Sequence, residues 1–362
     1  MSIQQTPALF GQKHSSRDYS KSYYWGKNQF NSSFPASLVA YMSSKGIKPV
    51  YLVTGRDGNV QHKQISGTEL FGIDPLSDNA YYNYEAGFFS FEQFYTGERE
   101  KIDLVMIDRT TDKALCGLEV KLTALPDNTT KNGAEEEYSC EIVVRPPTIC
   151  FLACSICQNY NSAAGRSKLQ SLLAAGVPQI NHWEEADEVA PHYEKIEAAV
   201  LAVAADMCTK QTPLILQPIW KTEGGKMRLA DDCLDVFVWS NLATIQMCTR
   251  QNQRGNISRH QRAIIWLYRM LFDFTIYGQF DYVRIIKQHS YTYANDKAFA
   301  IGGKASHPFL SCPELTHPRI KRSEIRNIIL GGGERFLFPQ LEGIELALTD
   351  FFYGNIFGLQ SA

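Results

Sequence analysis

Two carboxylates and a lysine between Ile102 and Lys121 have the types and spacing for metal-assisted hydrolysis of a phosphate ester. Asp103 sits in Ile102-Asp-Leu-Val-Met-Ile-Asp108, and Glu119 and Lys121 sit in Cys116-Gly-Leu-Glu-Val-Lys121. Both runs read as strands, and the polar stretch Arg109-Thr-Thr-Asp-Lys113 between them reads as a turn. A hairpin centred on Thr111 puts Asp103 and Glu119 opposite each other, equidistant from the turn. Directly opposed residues share a face and hold their Cβ atoms about 4.5–5.5 Å apart. Lys121 falls on that same face by alternation, and Val120 on the other. Two opposed like charges destabilise a sheet unless a cation lies between them. Hard carboxylate oxygens suit Mg2+, which lowers the pKa of a bound water and neutralises charge developing on phosphorus. The expected ligands are Asp103, Glu119 and the carbonyl of Val120. Lys121 would orient or deprotonate the attacking water, or stabilise the transition state, and the sequence leaves these roles open.

An Asp followed at a distance by Glu-x-Lys is a loose pattern that ordinary surface strands contain by chance. Its weight here comes from the turn, the register and the apolar spacers Leu104, Val105 and Leu118. Asp108 competes for the role of first carboxylate, but its place beside the turn makes it a turn residue. Glu85 and Glu92, in the segment from Tyr84 to Tyr95, are candidates for an additional helix-borne carboxylate, although most such glutamates are solvated.

The elements that must position this hairpin are strands first and helices later. Ala36 to Met42, closed by Gly46, predicts a short helix. Pro49 to Thr54 and Val60 to Ile65 flank Asp57-Gly58 and predict a hairpin. Tyr138 to Val144, stopped by Pro146-Pro147, predicts a further strand of the same mixed sheet. Helical spacing covers 162–175, 184–208, 240–251 and 258–277, with strands expected over 214–220 and 234–239. Strands interleaved with helices indicate an α/β or α+β body, its sheet covered by helices.

Composition bounds the rest. A chain of 362 residues, 44% hydrophobic and without low-complexity tracts, has ample material for one large packed body. No segment reaches the roughly 18–20 apolar residues of a membrane span, and the start has no signal-peptide pattern, so a cytoplasmic protein is expected. Nine scattered cysteines suit reduced thiols. The formal charge of -2 argues against a generic polycation. That charge is segregated, however. Seven Lys/Arg face one acid, Asp18, between Met1 and Arg56, and no acid interrupts 236–272, which carries Arg250, Arg254, Arg259, Arg262 and Arg269. Such segregation fits a protein that turns one face to a polyanion.

The core triad resembles the PD-(D/E)XK nuclease signature. Three further blocks extend the likeness: Pro7-Ala-Leu-Phe-Gly-Gln-Lys-His-Ser-Ser-Arg17-Asp-Tyr, Trp25-Gly-Lys-Asn-Gln-Phe-Asn-Ser-Ser-Phe-Pro35, and Cys140-Glu-Ile-Val-Val-Arg145-Pro-Pro-Thr148. With them the chain resembles type II restriction endonucleases of the HindVP/HgiDI family along most of its length. The resemblance implies a PD-(D/E)XK restriction-endonuclease-like mixed sheet flanked by helices, in a single elaborated domain over 1–362. The catalytic core would span about 49–220, with DNA-binding and dimerisation elements in 1–48 and 221–362. It also implies a homodimer that uses Mg2+ to cut double-stranded DNA within GRCGYC, leaving 5'-phosphates, beside a cognate methyltransferase. Guanines in that site call for Arg or Lys donors in the major groove. The candidate DNA-binding residues are Arg17, Lys27, Asn28, Gln29, Asn31, Arg145, Arg254 and Arg259, each of which could instead touch phosphate without reading a base.

Two rival readings stand beside this one. The same nuclease core could serve DNA repair or junction resolution. Alternatively Cys150, Cys154 and Cys157, with His182 and His192, could form a structural zinc site in a non-catalytic DNA-binding protein. The three cysteines share one helical face among apolar neighbours, the usual setting of small buried thiols. His260, beside Arg259, is better suited to a phosphate or solvent contact than to general-base work.

Overall fold

The computed structural model describes Val39 and residues 42–55, 59–97, 100–120, 141–208, 212–218, 222–223, 226–227, 236–249, 257–293 and 299–302; for 60, 81–86, 103, 119–120, 141–143, 214–218, 222–223, 226–227, 236–237 and 299–302 it describes the backbone. The fold is α+β, and its centre is a seven-stranded mixed sheet.

The expected first hairpin forms β1 (Val50–Thr54) and β2 (Val60–Gln64), paired antiparallel. Helix α1 (Gly67–Phe71) opens with a capping box, in which Ser66 and Glu69 exchange side-chain and backbone hydrogen bonds. β3 (Ala80–Ala86), β4 (Ile102–Asp108) and β5 (Lys113–Val120) then form an antiparallel meander. Two later strands, β7 (Pro213–Pro218) and β10 (Val236–Ser240), complete the sheet in the order β2-β1-β10-β7-β5-β4-β3. β5 runs parallel to β7, and β1 parallel to β10, so both parallel pairs join strands far apart in the sequence. Between β7 and β10 lies a small ribbon, β8 (Thr222–Glu223) with β9 (Lys226–Met227).

The sheet is buried on both faces along β4 and β5. Leu104, Met106 and Leu118 are sealed on one face and Val105 on the other. The second face meets a helical layer built around α8 (Arg259–Tyr277). Ser258 and Gln261 form its capping box, and Gly278 in the left-handed region closes it. Against α8 pack α3 (Pro146–Asn159), α4 (Ala163–Ala174), α6 (Tyr193–Asp206), α7 (Asn241–Thr249) and α9 (Tyr282–Gln288). The short α2 (Phe89–Glu92) leans on α3, with Phe91 stacked on Phe151.

Four expectations change in detail. The segment around Glu85 is strand β3, so Glu85 is borne by a strand and not a helix, whereas Glu92 does end a helix, α2. β6 (Glu141–Val144) leaves the main sheet and pairs with β11 (Phe299–Gly302), a partner that local pattern cannot reveal. Pro146-Pro147 ends β6 and at once begins α3, because Pro at the first helical positions loses no intrahelical hydrogen bond. The stretch 184–208 is broken at Pro191 into α5 (Ala186–Val189), a 3-10 turn (Ala190–His192) and α6.

Two of the arginines expected on a polyanion-facing surface belong to the interior. Arg262 is sealed between the rings of Trp266 and Tyr293, at 4.5 and 4.7 Å, and donates to the Ser290 carbonyl at 3.2 Å. Arg269 lies over Trp183 at 4.7 Å and pairs with Asp273 at 3.5 Å. Buried His289 completes this region. Burial, aided by the nearby Arg269 charge, lowers its pKa to about 4, so it is neutral at pH 7, with Nδ1 3.0 Å from the Trp183 carbonyl.

Candidate active site

The β4–β5 hairpin carries the predicted carboxylates, and its register follows from the turn. Asp108 accepts from the Thr110 amide at 2.9 Å, from the Thr111 hydroxyl at 2.9 Å and from the Thr110 hydroxyl. These bonds hold its carboxyl below the usual aspartate range and tie it to the turn. Asp112 adopts the left-handed conformation that closes the loop, at φ 55°. Asp108 pairs with Lys113 and Ile107 with Ala114, and the register then shifts between Met106 and Ile107. The unmatched residue is Leu115, a β-bulge. Beyond it Met106 faces Cys116, Val105 faces Gly117 and Leu104 faces Leu118. The paired register ends there, and one further step would set Asp103 opposite Glu119.

The bulge is what makes this alignment work. Without it, the pairing at the turn would continue with Asp103 opposite Leu118, and the two acids would fall on opposite faces. On its other edge β5 meets β7, with Glu119 beside Ile215 and Val120 beside Leu216. The acidic end of the hairpin therefore lies within the sheet and not at a frayed edge.

Of the remaining candidates, Arg17, Lys27, Asn28, Gln29, Asn31, Lys121 and Arg254 lie outside the described residues. Arg145 is exposed at the junction of β6 and α3. Because β6 belongs to the two-stranded sheet, Arg145 is not tied to the catalytic hairpin through the main sheet as expected. Arg259 begins α8, its guanidinium 4.9 Å from the centre of the Tyr293 ring. His260 follows it in the first helical turn.

The zinc reading meets a chemical obstacle. Cys150, Cys154 and Cys157 all lie on α3 inside the core. Burial pushes all three thiols above their ordinary pKa, which opposes the thiolate that zinc requires. His182 is exposed and lies 3.6 Å from Glu184. Among the described residues no group of three or more His, Cys, Asp and Glu is placed to hold a metal ion. No described helix is long and apolar enough to cross a membrane.

Over residues 25–342 the chain matches the family described as HindVP restriction endonuclease. The chain belongs to the HindVP restriction endonuclease family. It is 36% identical over 337 residues to the type II restriction enzyme HgiDI of Herpetosiphon aurantiacus, covering 92% of this chain and 93% of that one. It is 37% identical over 341 residues to the probable type II restriction enzyme HindVP of Haemophilus influenzae, covering 92% and 91%. No solved structure matches the chain. Membership makes the chain a site-specific endonuclease.

Proposed function

We propose that this HindVP-family enzyme is a PD-(D/E)XK nuclease that uses Asp103, Glu119 and Lys121 to hydrolyse double-stranded DNA with Mg2+. The observation that supports the reading is the bulge-corrected hairpin register, which sets Leu104 opposite Leu118 and, extended by one residue, would set Asp103 opposite Glu119. Hard oxygen donors from Asp103 and Glu119, with the Val120 carbonyl, fit Mg2+ better than a soft metal. When bound, that ion would supply Lewis acidity at the phosphate and a more acidic water. Lys121, two residues beyond Glu119, would place its ammonium where charge builds on the phosphate oxygens.

The proposed site is the palindrome GRCGYC, cut to leave 5'-phosphates, with a methyltransferase shielding the same sequence in the host. A palindrome has two-fold symmetry, and a homodimer presents two identical active sites to its two strands. Arg17, Lys27, Asn28, Gln29, Asn31, Arg145, Arg254 and Arg259 are the proposed DNA contacts. Exposed Arg145 and helix-borne Arg259 are the described members of that set. A cytoplasmic enzyme fits this work.

Digestion of plasmid DNA with the purified protein and Mg2+, followed by end mapping, tests the reading. The expected result is discrete fragments ending within GRCGYC and carrying 5'-phosphates. Nicking confined to branched DNA would favour a repair nuclease, and a mobility shift without any cut would contradict an enzyme.

A further inference from the structure

We propose that the edge strand β2, with the turn that leads into β1, is a second contact surface for the DNA substrate and holds backbone phosphates well away from the one that is cut. The inference rests on the reading that places the reacting phosphate at Glu119 and adds a binding surface to it. Observed pairings cross the sheet without a break: Glu119 lies beside Ile215, Ile215 beside Trp239, Trp239 beside Leu52 and Leu52 beside His62. His62 is thus level with Glu119 and four strands away, about 19 Å at the usual spacing of about 4.8 Å per strand. One row further on, Gln217, Phe237, Val50 and Gln64 are aligned. Gln64 and the turn before Val50 therefore lie toward the end of the sheet to which β5 carries Glu119.

This surface is basic and rich in hydrogen-bond donors. Gln61, His62, Lys63 and Gln64 are all exposed, so both faces of β2 meet solvent, and Lys45 and Lys48 are exposed ahead of β1. The Lys63 ammonium lies 5.5 Å from the centre of the Tyr51 ring, which steadies its stem against the sheet. Lys48 and Lys63 both act on Glu69, whose carboxyl is held below the usual glutamate range first by its bonds with Ser66 and then by these two charges. From Tyr19 to Thr68 the chain has one acid, Asp57. A polyanionic substrate is held along more than the bond that is cut, and lysine with amide donors is the chemistry that meets phosphate oxygens. A span of about 19 Å exceeds the roughly 12 Å width of the major groove, so β2 reaches backbone beyond the groove that faces Glu119. Lysine on an edge strand also guards against edge-to-edge pairing of two sheets, a role that needs no DNA and that gives the test its contrast.

The test measures equilibrium binding of the full-length protein, without divalent metal, to a duplex containing GRCGYC and to one lacking it, over a range of salt concentrations. Lys48→Gln and Lys63→Gln are each expected to lower the slope of log affinity against log salt by about one, and the triple variant with Lys45→Gln by about three, on both duplexes alike. Lys63→Arg should keep the wild-type slope. Glu69→Gln should bind both duplexes more tightly, with the capping box kept because glutamine also serves at that helix position. Lys113→Gln, exposed at the opposite end of β5 from Glu119, should change neither affinity nor slope. A wild-type slope in the triple variant, or a loss confined to the GRCGYC duplex, would overturn the inference, and an inactive Asp103→Asn beside it would leave the parent reading intact. Reduced slopes beside a fully active Asp103→Asn would keep this surface and bring down the parent reading.

Discussion

Lys121→Ala is expected to bind cognate DNA as tightly as wild type and to cleave it about 10²–10³-fold more slowly, the usual loss when one preorganised donor to developing charge is removed. The expectation follows from the sequence, in which Lys121 stands two residues beyond Glu119 and strand alternation would return it to the same face. Binding and cutting separate because affinity for DNA comes from many phosphate contacts, whereas stabilisation of the reacting phosphate comes from few groups. Equilibrium binding measured without divalent metal, set beside single-turnover cleavage with Mg2+, reads the two effects independently. Loss of binding in proportion to cleavage would make the lysine a DNA contact, and unchanged cutting would remove it from the site.

Asp273→Ala is expected to destabilise the fold by about 3 kcal/mol without touching the hairpin. Asp273 is buried and joins two arginines, with Arg284 at 2.7 Å and Arg269 at 3.5 Å. Arg269 depends on it more. Its side chain is 18% exposed, against 45% for Arg284, and burial already lowers its pKa, an effect that the Asp273 charge opposes. Removing the carboxylate leaves a cation in the core beside Trp183 and Tyr268, and an uncompensated buried charge costs about 3–5 kcal/mol. The exposed Arg284 can turn to water, which places the estimate at the low end of that range. Urea unfolding followed by fluorescence checks it, and a loss below about 1 kcal/mol would show that this network is dispensable.

What local sequence encodes was legible. The Asp57-Gly58 hairpin and the helical spacing over 258–277 correspond to β1–β2 and to α8. The register beyond the turn, with Leu104 opposite Leu118, was also legible, although the turn reaches it by a different route. A loop symmetric about Thr111 gives the same pairing as a tighter loop followed by a bulge at Leu115, and periodicity does not distinguish them. What needed coordinates was long-range pairing. Nothing near Glu141 announces β11, and nothing near Val50 announces its parallel partner β10. Glu85 was misplaced because Tyr84 to Tyr95 holds the end of a strand and a short helix, too little of either to set a period. The arginines of 236–272 misled for another reason. Charge in a sequence marks solvated surface on average, but aromatic neighbours can take a guanidinium into the core, as Trp266 and Tyr293 do for Arg262.

The most direct measurement is anomalous diffraction from crystals of the enzyme bound to its DNA site and soaked in Mn2+. The account predicts a peak within about 2.5 Å of one carboxylate oxygen from Asp103 and one from Glu119, beside the scissile phosphate. A manganese ion held by other residues, or these two carboxyl groups found on opposite sides of the sheet, would contradict it.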